Sequence, residues 1–111
     1  MELSVWHEFR EYMLEDDDWY SFSSAVAAAR HALGGTDDVA WLRMAIDGTA
    51  RLVREGAITP GSLTDDGFEP WPGTPEASAE RIEREGADYL ARGDFPDLSD
   101  ICWFENPSRP A

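Results

Sequence analysis

Three side chains in this sequence can ligate a metal through nitrogen or sulfur: His7, His31 and Cys102. A structural zinc site needs four such ligands and a catalytic one usually three, drawn from close spacings such as a Cys pair or an H-E-x-x-H stretch, and neither pattern occurs. Asp16, Asp17 and Asp18 stand in a row, a carboxylate cluster that reads as a solvated turn rather than as a calcium loop, because the spaced oxygen ligands of an EF-hand are missing. The lone thiol sits in the run "ICWF", where it reads as a small buried apolar group and not as an activated nucleophile. No G-x-S-x-G elbow, phosphate-binding glycine loop or dinucleotide fingerprint is found. With 23 acidic residues, pairs of carboxylates suited to glycoside chemistry arise by chance and discriminate nothing. Catalysis, a cofactor and a metal are therefore not expected, and His7 and His31 read as surface or boundary residues of helices.

The elements that must carry any site follow from length and composition. A chain of 111 residues is of single-domain size and buries roughly 65% of its unfolded surface. The net charge of -14 alone would suggest disorder, but five Trp, five Phe and three Tyr within a 42% apolar composition argue for one modest core. One domain over 1–111 is expected, with residues 105–111 as a frayed tail. A single cysteine permits no internal disulfide, and a reduced, cytoplasmic setting fits best. No apolar run approaches the roughly 20 residues of a membrane span, and Glu2 and Glu8 stand where a secretory signal would be basic.

Apolar spacing predicts a helix from about Leu3 to Glu15 through Val5, Trp6, Phe9, Tyr12 and Met13, then a turn at Asp16 to Asp18. A second helix presents Phe22, Ala25, Val26, Ala29, Ala32 and Leu33 and stops at Gly34-Gly35. Thr36 or Asp37 caps a third, whose inward stripe is Val39, Leu42, Ile46, Ala50 and Val53, ending at Gly56. Beyond it two turn signals, Pro60-Gly61 and Asp66-Gly67, separate short apolar pieces that fit irregular or brief β segments. Thr74-Pro75 starts a fourth helix that buries Ala79, Ile82, Gly86 and Tyr89 and runs to about Arg92. On its outer side Glu80 with Arg84, Arg81 with Glu85 and Asp88 with Arg92 are spaced for ion pairs. Ile101 to Phe104 reads as a short terminal strand. The expected class is α+β, mainly α: a three-helix layer, a turn-rich short β segment, a fourth helix and a C-terminal strand.

Charge is uneven along this plan. Residues 1–20 hold seven acids against Arg10, residues 21–63 four against four arginines, and residues 64–111 twelve against four. Phosphate backbones and anionic lipid repel such a chain, whereas basic proteins are drawn to it. Direct nucleic-acid and membrane partners are not expected; a basic protein is. In the connector "GFEPWPGTP" Phe68 reads as an anchor folded under the fourth helix, and Trp71 either as a second anchor or as an exposed ring among Asp65, Asp66 and Glu69, the composition of an interface hot spot. In "DDDWY" Trp19 is expected in the core and Tyr20 outside. The candidate partner-binding residues are thus Asp16, Asp17, Asp18, Tyr20, Asp65, Asp66, Glu69 and Trp71.

The stretch "REGAITPGSLTDDGFEPWPGTPEASAERI" through "DICWFENP" resembles the carboxyl half of small acidic bacterial proteins, some of them immunity proteins encoded beside polymorphic toxins. The resemblance implies an inhibitor that binds one cognate toxin, and it transfers no residue role. The acidic charge itself suggests a non-catalytic protein that blocks a toxin or nuclease, as an immunity protein or a nucleic-acid mimic does, since a carboxylate array can occupy a groove evolved for phosphates. The alternative is a small adaptor whose acidity serves solubility. Three helices followed by a turn-rich extended pair also resemble a winged-helix plan. A DNA-reading version, a winged-helix transcription regulator, would want Arg and Lys on its third helix, which has Arg43, Arg51 and Arg54, and on its wing, where this chain has Asp65 and Asp66.

Overall fold

The computed structural model describes residues 3–15, 19–94 and 101–106. Its helices begin and end where local chemistry dictates. The first helix, α1 (Leu3–Glu15), buries Trp6, Phe9 and Met13. The second, α2 (Phe22–Leu33), closes on Gly34, whose φ of 68° suits a residue without a Cβ. The Asp37 carboxylate accepts a hydrogen bond from the Ala40 N–H at 3.1 Å and starts α3 (Asp38–Arg54). The Thr74 hydroxyl accepts from Ala77 N–H at the same distance before α4 (Pro75–Arg92), which stops at left-handed Gly93.

Four short strands, β1 (Tyr20–Ser21), β2 (Thr59–Thr64), β3 (Gly67–Pro70) and β4 (Trp103–Glu105), form one antiparallel sheet in the order β1-β4-β2-β3. The expected α+β, mainly helical class is what the structure shows. The helix-strand order up to β3 follows the winged-helix plan, but β4 enters from the far end of the sequence and separates β1 from β2.

At the centre lies α3, packed against α2 on one side and α4 on the other, with α1 against both α2 and α3. Its residues Leu42, Ala45, Ile46, Ala50, Leu52 and Val53 are buried, so the helix that would read DNA in a winged-helix protein is mostly enclosed. Small residues set the spacing. A Cβ on Gly86 of α4 would lie 2.5 Å from two atoms of the Ile46 side chain, so that helix crossing is closer than any larger residue permits.

Several expected details fall differently. Leu33 and Val39 were expected to face inward but are exposed, since both border the turn joining α2 to α3, outside the stretch over which the helices pack. Pro60 and Gly61 are not a turn; both lie inside β2, whose pairing with β3 tolerates Pro60 because only its carbonyl is used there, accepting from Trp71 N–H at 3.0 Å. The terminal strand spans 103–105 rather than 101–104, and Ile101 and Cys102 are buried ahead of it. Glu105 and Asn106, expected to begin a frayed tail, are held: Glu105 pairs with Thr59, and the Asn106 amide donates to the Leu14 carbonyl at 3.1 Å.

Of the three ion pairs expected on α4, Arg81 with Glu85 forms at 2.7 Å, while Arg92 turns to Asp94. A pair of bridges not foreseen joins α3 to α4. The Arg54 guanidinium donates to both Glu83 oxygens at 3.1 and 2.7 Å and through Nε to Glu76 at 2.8 Å. The Arg54 hydrogen bonds hold the Glu83 carboxyl below its ordinary value against the opposing effect of partial burial. A carboxylate depressed by folding stabilises the native state above its unfolded pKa and ceases to do so as pH falls through the native one. Because all three side chains are at least a third exposed, Arg54→Met should cost only about 0.5–1 kcal/mol at neutral pH. That difference should vanish in urea melts carried out below the native Glu83 pKa.

Candidate protein-binding surface

Three long stretches of this chain, residues 11–29, 55–80 and 93–106, contain no arginine, and lysine is absent throughout. The fold brings all three together. Strand β1 comes from the first, β2 and β3 from the second and β4 from the third, so the sheet is assembled from the segments that lack positive charge. Among the described residues every arginine lies on a helix. Arginine partners are found by Glu76, Glu83 and Glu85 on α4 and by Glu55 just past the end of α3, while Glu8, Glu11, Asp38, Glu80 and Asp88 on the helices form no salt bridge among the described residues.

At the far end of the sheet no acid is paired among the described residues. The β2–β3 turn is Asp65-Asp66, held by Thr64: its hydroxyl accepts from Asp66 N–H at 3.2 Å and donates to the Gly67 carbonyl at 3.1 Å. Gly67 has φ of 110°, open to glycine alone in practice. Asp65, Asp66 and Glu69 are exposed, and no salt bridge among the described residues involves them.

Register then fixes which side chains share a face. The pair Tyr20–Phe104 lies on the side toward the helices, with ring centroids 5.6 Å apart and Phe104 also against Phe22. The alternate residues face outward: Leu63 opposite Phe68, and Gly61 opposite Trp103. Phe68 lies across Gly61, where a Cβ would collide with the Phe68 ring and the Glu69 carbonyl. Trp19 covers the same face. Its ring stacks on Phe68 at 6.2 Å, and its indole N–H donates to the Glu105 carboxylate at 2.9 Å. Trp19 and Leu63 each remain 40% exposed, so this outer face is an apolar surface rimmed by carboxylates.

Tyr20 therefore exchanges roles with Trp19. Expected outside, it is only 4% exposed, because pairing with Phe104 turns it toward the core and sends its neighbour out. Trp71 proves to be an anchor. It packs on the core beside Val53, Ile58 and Ser78, and the Arg81 guanidinium covers its ring at 3.7 Å, occupying the face that a cationic partner would use. Phe68 is not folded beneath α4 but lies on the sheet. Asp16, Asp17 and Asp18 fall outside the described residues. The structure thus brings Asp65, Asp66 and Glu69 to one end of the sheet, turns Tyr20 into the core, and leaves Trp71, two residues beyond Glu69, half-buried under Arg81. Trp19, Leu63, Trp103 and Glu105 were missed as surface residues; the signal that could have found them is the coincidence of the arginine-free runs with the strands.

The groups weighed at the outset for metal or nucleophilic chemistry are dispersed. His31 tilts against Tyr12 at 5.3 Å, and His7 is exposed on α1 beside a shallow groove with Arg10 and Glu11. Cys102 is buried, and desolvation pushes its thiol far above the ordinary range, with the Glu85 charge adding to the effect. No three His, Cys, Asp or Glu among the described residues approach closely enough to hold a metal. No helix among them is long and apolar enough to cross a membrane. Comparison with protein-family models, with curated proteins and with solved structures finds no match to this chain.

Proposed function

We propose that this chain is a non-catalytic binding protein, an acidic inhibitor of the immunity type, that engages a basic protein through the outer face and hairpin end of its sheet. The observation that carries the reading is the make-up of the sheet: among the described residues every arginine lies on a helix, while the sheet end carries the exposed carboxylates Asp65, Asp66 and Glu69 with no salt bridge and its outer face carries half-exposed Trp19 stacked on Phe68. Such a surface attracts positive charge at a distance and offers ring faces and carboxylates on contact. An aromatic centre with a charged rim is also the anatomy of a protein interface. The basic partner would be a toxin or nuclease whose groove is shaped for phosphates.

The immobilised chain, set against Asp65→Asn/Asp66→Asn/Glu69→Gln, tests this. A basic protein captured from the native host should associate at least about tenfold faster at low salt than at physiological salt. The triple variant, whose substitutions are all exposed, should keep its melting temperature and lose most of that salt dependence. Association indifferent to salt and to the three carboxylates would leave only a domain whose acidity serves solubility.

A further inference from the structure

Strand β3 is the last strand on its side of the sheet. Trp71 N–H donates to the Pro60 carbonyl, which fixes the alternation of the ladder: Glu69 with Ser62 and Gly67 with Thr64 exchange hydrogen bonds, while Phe68 opposite Leu63 does not. The Phe68 N–H and C=O and the Pro70 C=O accordingly point away from β2. A short edge, a proline and acidic side chains are the usual means of keeping a strand from pairing with its own kind. Here they select rather than merely forbid. A second copy would bring Asp65, Asp66 and Glu69 against their own counterparts, within a chain of net charge -14. A cationic segment would be drawn to the same place.

We infer that the open edge of β3 accepts an extended, arginine- or lysine-bearing segment of the partner as a fifth strand; this rests on the basic-partner reading above and specifies how that partner docks. Side chains of an added strand alternate between faces. One set would fall beside Phe68 and Trp19, whose stacked rings offer faces to guanidinium or ammonium groups, and the other set beside Glu69. Main-chain bonds to Phe68 set register, and Pro70, which has no N–H, ends the pairing.

The probe is a decapeptide alternating arginine and valine, compared with the same peptide N-methylated at every backbone amide, which keeps charge and side chains but has no N–H left to pair along a strand. Both are titrated into the unaltered full chain at low salt, followed by Trp fluorescence and by amide hydrogen exchange. The unmethylated peptide should bind about tenfold more tightly, and its binding should slow exchange at the Phe68 amide. Equal affinity of the two peptides would overturn strand addition and leave the basic-partner reading intact. Binding without protection at Phe68, or no binding by either peptide, would also overturn it, and the broader reading would then stand or fall on capture and salt dependence. Concentration-dependent protection of Phe68 without peptide would give the edge to a second copy and equally overturn the proposal.

Discussion

Phe104→Ala is expected to cost about 3–5 kcal/mol, the range for removing a large ring from a closed core. Phe104 is fully buried in the interior strand β4, with Tyr20 and Phe22 rings at 5.6 and 6.3 Å. A domain of this size holds only about 5–15 kcal/mol in total. The melting temperature should therefore fall by roughly 12 °C or more, with a matching drop in the urea midpoint. Phe104→Leu, which keeps most of the volume, should recover the larger part. A loss below about 1 kcal/mol for the alanine variant would show that β4 is not seated against the core.

The second large effect concerns α3 and α4. At an open helical position, replacing glycine by a residue with a side chain usually favours the helix by a few tenths to about 1 kcal/mol. At Gly86 the sign should reverse, because the added carbon meets the root of the Ile46 side chain and not merely its tip. Gly86→Val should destabilise by about 2–3 kcal/mol through overpacking. In an Ile46→Ala background the penalty should shrink, giving a coupling of about 1–2 kcal/mol in a double-mutant cycle. Denaturant melts of the four proteins measure it, and strict additivity would mean that the helices move apart without cost.

The helices were legible because their signals are local. Asp37, Thr74 with Pro75, Gly34 and Gly93 mark ends by backbone chemistry that needs no tertiary context, and the fourth-helix residues Ala79, Ile82 and Gly86 repeat at helical spacing. The sheet was much less so. Its strands are two to six residues long, and β2 begins with Thr-Pro-Gly, a stretch that by composition is a turn. Gly61 is there for a reason no local rule supplies, since Phe68 of the next strand needs the space. The aromatic neighbours Trp19 and Tyr20 could not be sorted from sequence for a related reason. In a two-residue strand there is no alternation to read, and the partner that decides which ring goes inward, Phe104, is more than eighty positions away. The hairpin acids were legible as a group, because turn residues and charge are both visible in the chain.

That long separation has a consequence for how the molecule is made. Strand β4 lies between β1 and β2, so neither the β2–β3 hairpin nor β1 can join a common sheet until residue 105 has emerged from synthesis. Helices α1 to α4 assemble from nearer neighbours and can collapse earlier, whereas closing β1 onto β4 carries the entropy of a long loop. The outer face of the sheet is thus finished last: a nascent chain has its helical scaffold before that face exists.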